Sequence, residues 1–331
     1  MSKKRRKNIV VIGGGTGTFT VLSGLKKYPV NLTAIVSMAD DGGSTGKLRD
    51  ELGVLPPGDV RQCLVALSTS DRLMRELINY RFEGGNLKGH SFGNLLLSAL
   101  EKTTGSFDSA VEKAGEILRI EGTVLPATLD KVTLVARIGN RTVRGEQTIR
   151  DTKLNGSAPR FSLVPGGRAN PKALAAIRSA DAIIVGPGSF YTSIIPDLLV
   201  RGVSEAIRKS RAKKIFICNL MTHAEHTRGF AVADYAEALK EYLGTSIDVV
   251  IYNNKLPSAR LLKRYARKGD KPTPWSRLPT EPKTIGADLI SRDLPAVQKS
   301  DRLRSQRTFI RHDPSVLART IARIVGISRK S

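Results

Sequence analysis

Short runs of aliphatic and β-branched residues alternate along this chain with longer segments whose apolar positions recur at helical spacing. Such alternation is typical of βαβ units that build a parallel sheet. The pattern therefore predicts an α/β protein with a Rossmann-like parallel sheet flanked by helices. The predicted strands are residues 9–12, 32–38, 182–185, 214–218, 248–252 and 287–290. The predicted helices are residues 19–27, 60–67, 92–100, 109–118, 171–179, 235–243, 259–266 and 314–325.

One region departs from this alternation. Residues 131–137 and 142–149 each alternate between polar and apolar positions, and the sequence Ile138-Gly139-Asn140-Arg141 joins them. A short turn of this composition between alternating segments indicates a β-hairpin. We therefore expect a β-rich hairpin insertion at about residues 122–167.

The remainder of the chain predicts one domain, over residues 8–331, that contains this insertion. Residues 1–7 carry five basic side chains and are expected to be a disordered tail. Residues 268–282 combine four prolines with many charges, which predicts a loop or flap.

Composition narrows the class of protein. Of the 331 residues 40% are hydrophobic and only 5% aromatic, which suits a core of Val, Ile, Leu and Ala. No apolar run approaches the roughly 20 residues that span a bilayer, and the apolar stretch that ends at Ile12 is too short for a signal peptide. We expect a cytoplasmic protein without a membrane span, in which Cys63 and Cys218 are buried free thiols.

The formal net charge of +24 has two interpretations. Contact with nucleic acid or an anionic membrane is one, because such partners bind basic proteins with release of counterions. A dispersed, solvated basic surface is the other. No aromatic residues interleave with the densest basic stretches, residues 208–214, 260–271 and 302–311, and no nucleic-acid-binding motif is present. We therefore expect no specific nucleic-acid partner.

A glycine-threonine run directly behind the first strand carries the main chemical signal. Glycines between a buried strand and a helix leave backbone N–H groups at a helix N-terminus, where they attract phosphate. The run does not match the last position of the dinucleotide-binding fingerprint, and the lysine of a Walker loop is absent. The alternative is a glycine turn that only packs the helix against the sheet. The run consists of Gly13, Gly14, Gly15, Thr16, Gly17 and Thr18, whose two hydroxyls are expected to donate to phosphate oxygens.

A second polar loop follows the second strand. Its Asp40 and Asp41 stand at the carboxyl end of a strand, where open α/β sheets bind ligands. Adjacent carboxylates can coordinate Mg²⁺ or accept hydrogen bonds from sugar hydroxyls. Gly43 and Ser44 would offer free amides at the following helix. The alternative is an Asx turn with Asp41 as a helix cap.

Two further loops offer polar side chains. After Pro-Pro-Gly, Asp59 is predicted to cap a helix and Arg61 to clamp a phosphate, with an Asp59–Arg61 surface pair as the alternative. His90, Ser91 and Asn94 provide polar edges for a base or a sugar, unless Ser91 only caps a buried helix.

Two later strands also end in polar loops. Gly186, Gly188 and Ser189 repeat the order of strand, glycine turn, hydroxyl and helix, which predicts a second anion site. Asn219 and Thr222 follow the next strand, ahead of two histidines at positions 223 and 226 that we expect to be solvated rather than metal ligands. Likewise, residues 312 and 313 are expected to be helix caps. The chain shows no nucleophile elbow and no reactive thiolate environment.

Together these stretches resemble the YvcK/CofD family. The matching residues are 13–18, 40–46, 56–61, 89–94, 186–196 and 218–222, in the family's order. The resemblance is stronger to the YvcK-type branch, the gluconeogenesis factors, than to the 2-phospho-L-lactate transferases. The chain departs from the family at His226, where a glutamate is usual.

The resemblance implies a UDP-sugar ligand, which we expect to be UDP-N-acetylglucosamine, and a regulator of cell shape and envelope synthesis during gluconeogenic growth. Its expected partners are that ligand and a protein of envelope synthesis, and a homo-oligomer is compatible with the sequence. The alternative is a CofD-like transferase that uses Mg²⁺. A nicotinamide-dependent oxidoreductase and a nucleic-acid binder rank behind both.

The resemblance places Gly14, Thr16, Asp40, Asn94, Gly188 and Ser189 in the nucleotide pocket. The full set of predicted binding residues is Gly13, Gly14, Gly15, Thr16, Gly17, Thr18, Asp40, Asp41, Gly43, Ser44, Asp59, Arg61, His90, Ser91, Asn94, Gly186, Gly188, Ser189, Asn219 and Thr222, with Asp40 and Asp41 as the predicted Mg²⁺ ligands.

Overall fold

The protein is an α/β fold with one large parallel sheet and one small antiparallel sheet. The computed structural model describes residues 5–153, 159–266, 269–292 and 309–328. The strands are β1 (Lys7–Ile12), β2 (Val30–Val36), β3 (Thr123–Pro126), β4 (Thr133–Ile138), β5 (Arg141–Arg144), β6 (Arg160–Val164), β7 (Ala182–Val185), β8 (Lys213–Ile217), β9 (Val249–Asn253) and β10 (Lys283–Ala287).

The helices connect these strands and cover both faces of the large sheet. They are α1 (Gly15–Leu25), α2 (Gly43–Leu52), α3 (Gly58–Leu67), α4 (Arg72–Asn79), α5 (Phe92–Thr104), α6 (Phe107–Ile117), α7 (Glu146–Arg150), α8 (Pro171–Arg178), α9 (Ile195–Leu199), α10 (Val203–Lys209), α11 (Val232–Leu243), α12 (Ala259–Ala266) and α13 (Pro314–Val325). A π-helical turn, Phe190–Ile194, precedes α9.

The large sheet has seven parallel strands in the order β10-β9-β8-β7-β1-β2-β3. The central strand β1 pairs with β2 on one side and with β7 on the other, so that Ile9 lies between Leu32 and Ala182. Strand order runs outward in opposite directions from β1 and β7. The sheet therefore has a topological switch point between these two strands, the position where open α/β sheets bind ligands.

Apolar side chains fill the space on both sides of this sheet. One core cluster joins the sheet to α1, α3, α6 and α13, and the other joins it to α8, α10 and α11. The four residues of β7 are all buried, as expected for a central strand covered on both faces. Cys63 and Cys218 are buried free thiols, which confirms the expectation from their surroundings.

The small antiparallel sheet, in the order β5-β4-β6, confirms the hairpin but corrects its limits. Ile138 pairs with Arg141 across the predicted turn. The second strand ends at Arg144, and the residues after it form α7 rather than more strand. The first part of the predicted insertion, β3, pairs in parallel with β2 and belongs to the large sheet.

Several other element predictions differ from the structure. Helices α4 and α10 were not predicted, α2 and α9 were expected only as helices of unstated length after two glycine loops, and the last strand lies at 283–287 rather than at 287–290. Asp59 does not cap α3, because Pro57 occupies the cap position and Asp59 lies within the first turn. In contrast, α13 has the predicted bounds, and Asp313 caps it by accepting from the amides of Ser315 and Val316 at 2.8 and 2.9 Å.

The predicted tail and flap are partly described. Residues 1–4 and 268 lie outside the described residues, whereas Lys7 belongs to β1 rather than to the predicted tail. Residues 269–282 form a loop in which Thr273 N donates to Leu220 O at 3.0 Å. No helix in the described part of the chain has the length and apolar character needed to cross a bilayer.

Candidate functional site

The loops at the carboxyl ends of β1, β2, β7 and β8 converge on one cavity of about 1420 Å³ at the switch point. Parallel strands deliver their following loops to the same edge of the sheet, so segments far apart in sequence meet there. The predicted residues that line the cavity are Gly14, Gly15, Thr16, Gly17, Asp40, Gly43, Ser44, Asp59, Arg61, Asn94, Gly188, Ser189, Asn219 and Thr222.

The two glycine loops pack directly against each other. A Cβ added to Gly17, in the first turn of α1, would lie 1.9 Å from the carbonyl oxygen of Pro187. A Cβ on Gly14 would lie 2.0 Å from Oδ2 of Asp59. Side chains at these positions would therefore force the loops apart. The absence of side chains brings the N-terminus of α1, with its unpaired amides, next to the loop after β7.

The remaining predicted residues lie behind the cavity wall. Oγ1 of Thr18 donates to Gly14 O at 3.4 Å and is fully buried, so Thr18 faces the core while Thr16 lines the cavity. Ser91 caps α5 by accepting from Asn94 N at 3.3 Å, which is the structural alternative considered for it. The predicted residues outside the wall are Gly13, Thr18, Asp41, His90, Ser91 and Gly186.

The two adjacent aspartates have different roles. Asp40 lines the cavity, and its Oδ1 accepts from Gly42 N at 2.9 Å in an Asx turn. Asp41 turns away and accepts from the amides of Glu146 and Gln147 at 3.0 and 2.8 Å, which places it at the N-terminus of α7. The structure therefore does not bring both carboxylates to the cavity. Burial raises the pKa of Asp40 above its usual value.

A hydrogen-bond network joins three of the loops around Arg61. Nε of Arg61 donates to Oδ1 of Asn94 at 3.0 Å, and one terminal nitrogen donates to Oδ1 of Asn79 at 2.6 Å. Nδ2 of Asn94 donates in turn to Oγ of Ser44 at 3.3 Å, and that hydroxyl is also 3.0 Å from Nδ1 of His90. Arg61 is only 7% exposed, so a surface pair with the nearby aspartate is wrong.

The wall formed by α7 was not predicted from the sequence. Glu146 and Arg150 both line the cavity, form an ion pair with each other and lie one helical turn apart. Burial raises the pKa of Glu146 to about 7, although the charge of Arg150 acts in the opposite direction. The spacing of Glu and Arg at i and i+4 behind Gly145 was the local signal for a helix.

Two of the loop histidines are not solvated. His226 is 8% exposed, stacks on His223 with ring centroids 4.7 Å apart, and has its Nε2 2.9 Å from Ile149 O in α7. His312 also lines the cavity, and burial lowers its pKa to about 4. His312 is hydrogen-bonded to the backbone of Cys218 and is not the helix cap predicted for it.

The cavity wall includes buried acceptor atoms that lack a donor. Within the described residues, Oε2 of Glu146, Oδ1 of Asn219 and Nε2 of His312 have no hydrogen-bond partner. Buried polar atoms without partners are uncommon and costly. A ligand that brings N–H or O–H groups would satisfy them.

One further carboxyl lies close to the site without lining it. Asp197 in α9 is fully buried, and neither of its oxygens has a hydrogen-bond partner among the described residues. Burial raises the pKa of Asp197 well above its usual value, and the charge of Asp59 adds to this effect. Folding therefore favours the protonated form of the Asp197 carboxyl.

The described residues contain no cluster of three or more His, Cys, Asp or Glu side chains suited to hold a metal ion. Magnesium in phosphate sites is commonly held by one or two carboxylates together with phosphate oxygens and water. Asp40 and Asp59 are the members of the predicted set whose carboxylates line the cavity, so they fit this arrangement and Asp41 does not.

Comparison with known proteins agrees with this architecture. The family model described as 2-phospho-L-lactate transferase CofD matches residues 9–294, most of the chain and every loop of the site up to β10. This chain belongs to the CofD family. The match confirms the resemblance recognised from the separate sequence motifs.

Within the CofD family, the chain is similar to proteins described as gluconeogenesis factors. The one from Bacillus subtilis is 40% identical over 318 residues, which are 95% of this chain and 96% of that protein. The one from Halalkalibacterium halodurans is 41% identical over 305 residues, 91% and 93% of the two chains. A crystal structure of a UPF0052-family protein from Bacillus halodurans superposes with a TM-score of 0.86 at 36% identity and covers 96% of this chain and 99% of that one.

Proposed function

We propose that this chain binds a nucleoside-diphosphate sugar, specifically a UDP-sugar, and acts as a regulator rather than as a catalyst. The observation that supports this most directly is the convergence of two glycine loops and the N-terminus of α1 on one cavity at the switch point. Free amides at a helix N-terminus favour phosphate through hydrogen bonds and through the helix dipole.

The proposed binding mode divides the ligand between two kinds of wall. The diphosphate lies against Gly14–Gly17 and Gly188–Ser189, with the guanidinium of Arg61 nearby, because an arginine held by two asparagines is pre-organised for an anion. The base and its ribose carry N–H and O–H groups and lie against the unsatisfied acceptors of Asn219 and His312.

The proposed physiological role takes the descriptions of the relatives as its starting point and goes beyond them. Proteins that are 40–41% identical over nearly the whole chain are described as gluconeogenesis factors. We assign to this chain a cytoplasmic role in adjusting envelope synthesis and cell shape during gluconeogenic growth, through a protein partner that senses its ligand state. We do not propose nucleic-acid binding, because the net charge of +24 is the only observation in its favour.

Titration calorimetry with UDP-N-acetylglucosamine tests the proposal. We expect saturable binding, weaker binding of UMP because it has one phosphate fewer, and no loss of nucleotide sugar on prolonged incubation. Absence of binding by UDP and by UDP-sugars alike would refute the proposal. Salt-dependent binding to random DNA of comparable strength would favour the nucleic-acid interpretation instead.

A second candidate function is the transfer reaction named in the family description. Two carboxylates, Asp40 and Asp59, line the cavity where a diphosphate would lie, and together they suit Mg²⁺. The metal would supply charge neutralisation of a phosphoryl group, while Arg61 and the glycine amides would orient it. Release of nucleotide in the presence of a deazaflavin alcohol acceptor and Mg²⁺ would establish this function.

A further inference from the structure

Helix α7 is a wall of the cavity that other segments hold in place. Asp41 accepts from its first two amides, Glu146 N and Gln147 N, at 3.0 and 2.8 Å. At the other end, Nε2 of His226 lies 2.9 Å from the carbonyl oxygen of Ile149. The loop after β2 and the loop after β8 therefore fix α7 over the site. Its side chains have a defined position relative to the glycine loops.

Glu146 is the buried carboxyl of this wall. It is 2% exposed, and Oε1 accepts from Arg150. Oε2 has no hydrogen-bond partner among the described residues. The ion pair within the helix provides a hydrogen-bond donor for Oε1 but none for Oε2. A buried carboxyl is retained at a cost in stability unless donors reach both oxygens, so this atom calls for a donor from outside the chain.

The surroundings of Glu146 indicate which part of a ligand can approach. Besides burial, the negative charge of Asp40 raises the pKa of Glu146, whereas a hydrogen bond from the hydroxyl of Thr192 lowers it. The two carboxyls outnumber the guanidinium of Arg150, which is already paired with Glu146, so a phosphate is better placed at the amides of the glycine loops. A neutral group that donates hydrogen bonds suits this position, and sugar hydroxyls are such groups.

We propose that Glu146 accepts a hydrogen bond from a hydroxyl of the ligand's sugar and thereby makes the cavity prefer a nucleoside-diphosphate sugar over the bare diphosphate. This inference rests on the proposed function and assigns a sugar subsite to α7. Since burial places the pKa of Glu146 at about 7, both of its protonation states are present near neutral pH, and both can form a hydrogen bond with a hydroxyl.

The test compares two ligands in three proteins by titration calorimetry at one pH and one salt concentration. The ligands are UDP and UDP-glucose, and the proteins are wild type, Glu146→Ala and the control Glu101→Ala. Glu101 is a glutamate that is only partly buried, accepts from Leu55 N and does not line the cavity. We expect wild type and the control to bind UDP-glucose roughly 10-fold more tightly than UDP, the range of one hydrogen bond to a charged group.

In Glu146→Ala this preference should fall to about 2-fold or less, while the affinity for UDP stays within about 3-fold of wild type. Equal weakening of both ligands would overturn the inference, because Glu146 would then act on the diphosphate through Arg150. Retention of the 10-fold preference would overturn it too. If Glu146→Ala reduces the preference for UDP-glucose over UDP only when Mg²⁺ is present, the carboxyl binds a metal ion rather than the sugar, and the inference is wrong.

Ligand-side changes keep the inference testable if Glu146→Ala does not fold. The wild-type protein should bind one of the monodeoxy analogues of UDP-glucose roughly 10-fold more weakly than UDP-glucose itself, because that analogue lacks the recognised hydroxyl. If every analogue binds within about 2-fold of UDP-glucose, no hydroxyl is recognised and the inference is wrong. Failure of the proposed function gives a different result, since neither UDP nor UDP-glucose would then bind the wild-type protein.

Discussion

Asp197 offers a quantitative check on the electrostatics beneath the cavity. Its carboxyl is fully exposed to solvent in the unfolded chain, where its pKa is about 4. In the folded protein it is completely buried, and neither oxygen has a partner among the described residues. Burial raises the pKa of Asp197 well above its usual value. Between the unfolded and the folded pKa, the folded state therefore binds a proton at Asp197 more strongly than the unfolded state does.

The sign of the pH dependence follows from this difference. When folding raises the pKa of a carboxyl, its contribution to stability is complete at pH values below the pKa in the unfolded chain. The contribution is lost as pH rises from that value to the pKa in the folded protein. One proton of difference corresponds to about 1.4 kcal/mol of unfolding free energy per pH unit.

The Asp197→Asn variant removes the titration and keeps the shape of the side chain. We expect urea unfolding at 25 °C, followed by circular dichroism at pH 5, 6, 7 and 8, to show that the variant becomes more stable relative to wild type as pH rises, by at most about 1.4 kcal/mol for each pH unit. The control Asp313→Asn changes a carboxyl that caps α13 and is hydrogen-bonded, and it should show no such gain. A pH-independent difference between Asp197→Asn and wild type would refute the reasoning.

Three further predictions concern the cavity. Gly17→Ala places a Cβ against backbone and should weaken UDP-sugar binding at least 10-fold and lower the melting temperature, as measured by thermal shift with and without ligand. Asp40→Asn should abolish any Mg²⁺ dependence of ligand binding in calorimetry, whereas Asp41→Asn should preserve it and instead destabilise the protein by about 1 kcal/mol, because Asp41 binds two amides of α7. Arg61→Ala should weaken UDP binding by roughly 10- to 100-fold and reduce its dependence on salt concentration.

Each of these predictions has its own control. Gly84→Ala introduces the same methyl group where nothing lies within 4 Å, so equal effects of the two alanines would contradict the steric argument. Unchanged Mg²⁺ dependence in Asp40→Asn would remove this aspartate as a ligand. For Arg61, the conservative Arg61→Lys variant should recover part of the affinity, and full affinity in Arg61→Ala would show that the guanidinium does not contact the anion.

The fold was largely predictable because its signals are local. Strand β7 and helices α12 and α13 have the bounds that the apolar pattern predicts. The short strand β3 was assigned to the insertion because it has four residues, ends in Pro126 and lies at the edge of the sheet. A strand with a single neighbour in the sheet needs little apolar periodicity of its own, so no local pattern indicated its place.

The candidate site was only partly predictable. The glycine runs at strand ends were sufficient to place Thr16 and Ser189 on the wall. They did not distinguish Thr16 from Thr18, because two hydroxyls in one helical turn look alike in sequence, and the exact start of α1 decides which of them faces the core. Equally, the pair of aspartates separates only when α7 packs over the site and Asp41 turns toward its amides.

By itself, the sequence determined the parallel sheet, the order of its loops, the glycines that permit close backbone approach and the family to which the chain belongs. Only the tertiary structure decided that Glu146, Arg150 and His312 share one cavity with those loops. The physical reason is that hydrophobic periodicity and turn composition act over a few neighbouring residues. A cavity, in contrast, is assembled from side chains more than 100 residues apart, whose directions depend on how whole elements pack.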